Sequence, residues 1–121
     1  MFKRNNSLLI FLLLICLLSR ALTSIYYIED IDSLRFALSI KDYDITKLQP
    51  HFPGYIVFCF LIKTLYLFVG NMGLSFSIVG GFSIFFIIYY LLRIFNTSLK
   101  SYEGRYIALI IFFQSSFMVN E

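Results

Sequence analysis

Apolar residues along this chain gather in long runs separated by short polar stretches. Residues 8–18 are unbroken apolar sequence, and a looser apolar continuation reaches residue 28. A bilayer core about 30 Å thick needs roughly 20 helical residues. Residues 8–28 are therefore predicted as a first span, with Tyr26 and Tyr27 placed as an interfacial aromatic belt. Three more apolar segments follow at 55–69, 74–95 and 106–119. The first of these is short and carries Lys63 near its middle, the next is long enough to cross, and the last is short. Gly70-Asn71-Met72-Gly73 reads as a turn by composition. Gly80-Gly81, inside 74–95, permits either a close helix approach or a local bend. No internal repeat or low-complexity linker interrupts the pattern.

The one extended polar stretch is the outer loop, 29–54. It holds Glu29, Asp30, Asp32, Asp42 and Asp44, five of the chain's seven acids. Within it Ile31, Leu34 and Leu38 recur near helical spacing. Asp30 can cap the helix start, where the dipole also favours acids. Residues 31–41 are predicted as a short amphipathic helix on the outer membrane face, followed by a loop to Pro50. The expected fold is all-α and polytopic, with four hydrophobic helices and one outer juxtamembrane amphipathic helix.

Composition supports lipid as the solvent. Hydrophobic residues are 60% of the chain and charged residues 14%, against about 25% charged in a soluble domain. The net charge of +3 comes without a basic run, so nucleic acid is not an expected partner. Cys16 and Cys59 lie inside apolar runs and read as small buried hydrophobes, not as a disulfide or a metal pair. A single His and the absence of a Cys cluster exclude a zinc site of the usual spacing.

The basic start, Lys3-Arg4, places the N-terminus in the cytoplasm of a multi-pass protein of the cell (inner) membrane. A cleaved signal peptide fits the same start and the 8–18 core. Arg20 interrupts the small-residue cleavage site, which favours an uncleaved anchor. If all four segments cross, the basic connector 96–105, preceded by Arg93, lies outside, against the positive-inside rule. A re-entrant 55–69 removes the conflict. Arg20 and Lys63 each read either as an intramembrane functional charge or as a side chain snorkelling to the headgroups. Asn96-Thr97-Ser98 meets the glycosylation pattern, which matters only in the right compartment. The last apolar segment runs almost to Glu121, which leads to the expectation that a C-terminal part is missing and that this part alone is inactive.

Chemistry is concentrated in the outer loop. Helical spacing puts Asp32, Arg35 and Phe36 on one side of the 31–41 helix and Ile31, Leu34 and Leu38 on the other. An acid and a base would then face away from lipid at the membrane surface. Downstream, Gln49-Pro50-His51-Phe52-Pro53-Gly54-Tyr55 leads into the next apolar segment, and His51 is the one imidazole. Such a set suits group transfer from a lipid phosphate. A carboxylate can take a proton from the acceptor or hold a divalent cation. His, Arg or Lys can hold the leaving phosphate. On spacing alone, the same residues describe a solvated loop with a weak surface ion pair.

The order of these features resembles the N-terminal part of the C-type membrane glycosyltransferases, which include the protein O-mannosyltransferases, the lipid A aminoarabinose transferase and family-39-like enzymes. The resemblance rests on a first anchor, the Asp32-Ser33-Leu34-Arg35-Phe36-Ala37 helix, the Asp42-Tyr43-Asp44 loop and the Pro50-His51-Phe52-Pro53-Gly54-Tyr55 stretch. It implies transfer of a sugar from a polyprenyl-phosphate donor to an acceptor on the outer face. Matching D-x-x-R-[FY]-A puts the catalytic acid on Asp32 and the accompanying arginine on Arg35. Some members carry an acidic pair where this chain has Ser33, so Glu29 and Asp30 stay open as alternatives. His51 stands in the place of the lysine that relatives with K-P-P use near the polyprenyl phosphate, so the resemblance makes it the expected phosphate contact. Glu121 falls roughly where a second outer acid is expected. A divalent cation is compatible with this set but no ligand cluster requires one. The alternative function is a small non-enzymatic integral membrane protein, an assembly factor or transporter fragment.

Overall fold

The computed structural model describes residues 6–24, 31–50 and 52–117, with side chains described as far as 114. Among these residues the chain is all-helical and contains no strand. The helices are α1 (Asn6–Leu22), α2 (Ile31–Lys41), α3 (Ile56–Val69), α4 (Met72–Ile94) and α5 (Tyr102–Phe117), with a single 3-10 turn at Ile45–Lys47.

Capping residues set the boundaries from the end of α3 to the start of α5. The Asn71 side chain accepts from the Leu74 amide at 3.0 Å, so α4 starts at Met72 and the turn shrinks to Gly70 and Asn71. Gly70, at φ 69°, closes α3 with its amide on the Tyr66 carbonyl at 2.8 Å. Asn96, at φ 54°, ends α4. Its amide donates to the Arg93 carbonyl and that of Thr97 to the Leu92 carbonyl, the nested pair of a Schellman stop. Ser101 then caps α5, its hydroxyl oxygen accepting from the Gly104 amide at 3.1 Å. This cap starts α5 at Tyr102, four residues before the apolar run that marked it in the sequence. α1 ends at Leu22, whereas the apolar run continues to residue 28; Tyr26 and Tyr27 lie outside the described residues.

Two compact units divide the chain. Residues up to Leu22 and from Gly80 onward form one, and Thr23–Val79 forms the other. In the first, Cys16, Ile84, Ile88, Leu92 and Ala108 make a buried cluster, with Leu12, Phe85, Leu99, Ile111 and Phe112 packed against it. Gly81 lets α1 approach closely, since a Cβ there would lie 3.1 Å from the Cys16 carbonyl oxygen. Gly80 has open space instead, so only one glycine of the pair serves the approach. In the second unit Ile40, Ile62 and Val79 are buried together, with Phe58, Leu65, Tyr66, Met72 and Phe76 around them.

Both clusters are small relative to the apolar surface left outside. α4, at 23 residues, is long and apolar enough to cross a bilayer, and only 28% of its apolar window is buried. α1 and α3 are apolar but shorter, at 17 and 14 residues. At 1.5 Å per residue α3 extends about 21 Å, well short of a full hydrocarbon core.

Candidate functional site

The described part of the candidate site belongs to the unit Thr23–Val79 and is built on α2 packed against α3. Asp32 lies in the first turn of α2, where the dipole favours an acid. One turn on, the Arg35 guanidinium sits 3.6 Å from its carboxylate. The Asp32 side chain is 66% exposed and that of Arg35 34%. Of the residues chosen from the sequence, these two are brought together. Glu29, Asp30, His51 and Glu121 lie outside the described residues.

The buried side of α2 differs from the sequence expectation. Phe36 does not share the water-facing side with Asp32 and Arg35. Its ring packs edge-on against Tyr55 at 5.4 Å and Phe58 at 5.2 Å. Ala37, Ser39 and Ile40 are buried beside it, while Ile31, Leu34 and Leu38 remain exposed. Two patches on α2 are thus apolar, and helical spacing alone cannot say which one α3 takes. The aromatic one wins, because Phe, Tyr and Phe rings bury more area and gain edge-to-face contacts.

Ser39 ties the two helices further. Its hydroxyl donates to the Phe36 carbonyl at 2.6 Å and lies 3.4 Å from Cys59 Sγ. The Cys59 thiol in turn lies 3.8 Å from the Gly54 carbonyl oxygen. Cys16 and Cys59 are both free thiols.

The loop between α2 and α3 is more ordered than its composition suggests. Asp44 and Gln49 form an isolated antiparallel bridge around the 3-10 turn. Asp44 caps that turn through its side chain, accepting from the Thr46 amide at 2.9 Å and the Thr46 hydroxyl at 2.6 Å. Lys47 reaches both Asp42, at 3.1 Å, and Asp44, at 3.3 Å. The Thr46 hydroxyl, helped by the Thr46 amide and Lys47, holds the Asp44 carboxyl below the usual carboxylate range. Hydrogen bonds to Asp42 and then Asp44 push the Lys47 ammonium up.

The loop closes onto the start of α3. The Tyr43 hydroxyl donates to the Gly54 carbonyl at 2.8 Å. Gly54 has φ +92°, and a Cβ there would lie 2.9 Å from the Tyr43 oxygen, so glycine is required on both counts. The Gln49-Pro50 and Phe52-Pro53 peptide bonds are cis.

Residue choice from the sequence passed over this Asp42–Asp44–Lys47 group as a site, although Asp44 and Lys47 are three apart and Asp44 precedes Thr46 by two, both local signals. Among the described residues no group of three or more His, Cys, Asp or Glu could hold a metal ion. Comparison with protein-family models, curated proteins and solved structures found no match to this chain.

Proposed function

We propose that the chain is a multi-pass membrane protein and the donor-binding N-terminal part of a C-type membrane glycosyltransferase. In this reading α4 crosses the bilayer, α1 anchors the chain with its N-terminus in the cytoplasm, and α3 enters without fully crossing. α2 and the 42–54 loop lie on the outer face. Asp32 activates the acceptor or holds a divalent cation, with Glu29 and Asp30 as alternatives. Arg35 and His51 hold the phosphate of a polyprenyl-phosphate sugar, and Glu121 is the candidate second acid.

The observation that carries this reading is the Asp32–Arg35 pair, 3.6 Å apart on a helix whose Ile31, Leu34 and Leu38 are exposed. Such a helix can rest its apolar residues in lipid while it presents an acid and a cation at headgroup depth. A polyprenyl phosphate brings its anion to that depth, where a guanidinium binds phosphate through paired N–H donors.

The test is binding of undecaprenyl phosphate to the purified chain in micelles. Arg35→Gln should weaken it about tenfold, the effect of losing one charge-assisted hydrogen bond. Equal binding by both proteins defeats the proposal. In a membrane transfer assay with a polyprenyl-phosphate sugar, Asp32→Asn should abolish any transfer that the natural chain supports.

A second reading, a small non-enzymatic membrane protein, is favoured by the 66% exposure of Asp32, which is ordinary for a surface ion pair. Under it Asp32→Asn has no phenotype.

A further inference from the structure

The α4–α5 turn lies in the other unit, built from the residues up to Leu22 and from Gly80 onward. It collects cations that the proposed function does not use. Arg93 is in the last turn of α4, Lys100 in the connector and Arg105 in the first turn of α5. All three are exposed, and no salt bridge joins any of them to an acid among the described residues. Glu103 is the one acid nearby in sequence, so the segment 93–105 carries three positive charges against one negative.

The arginines meet aromatic rings instead. The Arg93 guanidinium carbon lies 6.0 Å from the centre of the Tyr89 ring, and that of Arg105 lies 4.7 Å from the centre of Tyr102. A cation held over a ring face keeps N–H donors free for an anion.

The turn is also short and held by local hydrogen bonds. Asn96 and Thr97 close α4, while Ser98 accepts from the amide and hydroxyl of Ser101, which caps α5. Gly104 makes this fit possible, because a Cβ there would collide with the Ser98 carbonyl. Phe95, Tyr90, Tyr102 and Tyr106 are exposed around it. Exposed tyrosines and cations at the end of a helix of bilayer length make up the composition of a membrane–water interface, and basic residues there attract anionic headgroups.

We infer that the α4–α5 turn is a binding surface for anionic phospholipid headgroups, with Arg93, Lys100 and Arg105 contacting the lipid phosphate. Charge complementarity selects anionic over zwitterionic lipid, and the positive-inside rule places the turn at the cytoplasmic leaflet.

Native mass spectrometry of the whole chain in micelles, with phosphatidylglycerol and phosphatidylcholine supplied in competition, tests this. The natural chain should retain phosphatidylglycerol preferentially. The preference should fall about fivefold for each cation removed, the factor that corresponds to one basic residue near an anionic surface. R93Q/K100Q/R105Q should therefore show no preference, whereas R93K/R105K, which keeps the charges and reports on folding, should retain it. Lys47→Gln, in the other unit, should leave it unchanged, since that ammonium is already paired with Asp42 and Asp44. Equal retention of both lipids by the natural chain overturns the inference and leaves the cations to an acidic protein surface. A preference that survives the triple glutamine variant overturns it too, since the anion would then bind elsewhere.

Discussion

Asp44 shows how one side chain can organise a loop. It caps the 3-10 turn, pairs with Lys47 and belongs to the bridge to Gln49. The cause of its lowered pKa is chiefly the Thr46 hydroxyl, so Thr46→Val should raise the Asp44 titration midpoint toward about 3.9, the value of a free aspartate. Carbon-13 NMR of the carboxyl groups would read this directly, and an unchanged midpoint would assign the shift to the residue 46 amide and Lys47 instead.

The pH dependence follows from the same contacts. A lowered carboxyl pKa contributes stability that is complete above about pH 3.9 and disappears as pH falls through the lowered value. The raised Lys47 pKa works in the opposite sense: its contribution is complete below about pH 10.4 and is lost as pH rises through the raised value. Amide exchange at Thr46 and Leu48 should thus stay slow between roughly pH 4 and 10, after correction for intrinsic rates, and lose protection on either side.

At the scale of the helices, small residues decide which segments can approach. Gly80 and Gly81 are adjacent in α4 yet meet different surroundings. Gly81→Ala would press a methyl against the α1 backbone at Cys16 and Leu17, for a cost of about 1–3 kcal/mol. Gly80→Ala meets nothing within 4 Å and should gain about 1 kcal/mol from helix propensity. Thermal unfolding in a fixed detergent should therefore move in opposite directions for the two variants, and a parallel shift would contradict the packing of α1 on Gly81.

The sequence showed the glycine pair but not its asymmetry. Successive residues on a helix differ by about 100° in direction, and only the neighbour's position tells which one matters. The start of α5 was legible in principle, because Ser101 precedes Tyr102-Glu103-Gly104 as an N-cap. It was passed over because an apolar run marks where a helix is buried, whereas a cap marks where it begins.

For the whole molecule, the distribution of exposed apolar side chains is the main physical fact. Ile10, Phe11 and Leu18 on α1, Ile56, Phe60 and Phe68 on α3, and Phe86, Ile87 and Ile94 on α4 are all exposed. Apolar surface of this kind, exposed on each of three helices, is stable in hydrocarbon and costly in water. Single cysteines placed at Thr46 and at Lys100, in a background lacking Cys16 and Cys59, would test the proposed sidedness. An impermeant maleimide added to intact cells should label the Thr46 position and not the Lys100 position. Labelling at Lys100 alone would reverse the orientation and remove the outer donor site.

The sequence by itself determined the helical character of the chain, the extent of α2 and the low content of charged residues. These are local or compositional properties, carried by hydrophobic runs, periodicity and residue counts. Tertiary structure alone decided that Phe36 turns toward Tyr55 and Phe58, that Gly81 rather than Gly80 admits α1, and that Arg93 and Arg105 rest on tyrosine rings. Each of those outcomes is a choice among faces that the linear pattern leaves nearly equivalent, and only the surface packed against a face makes them unequal.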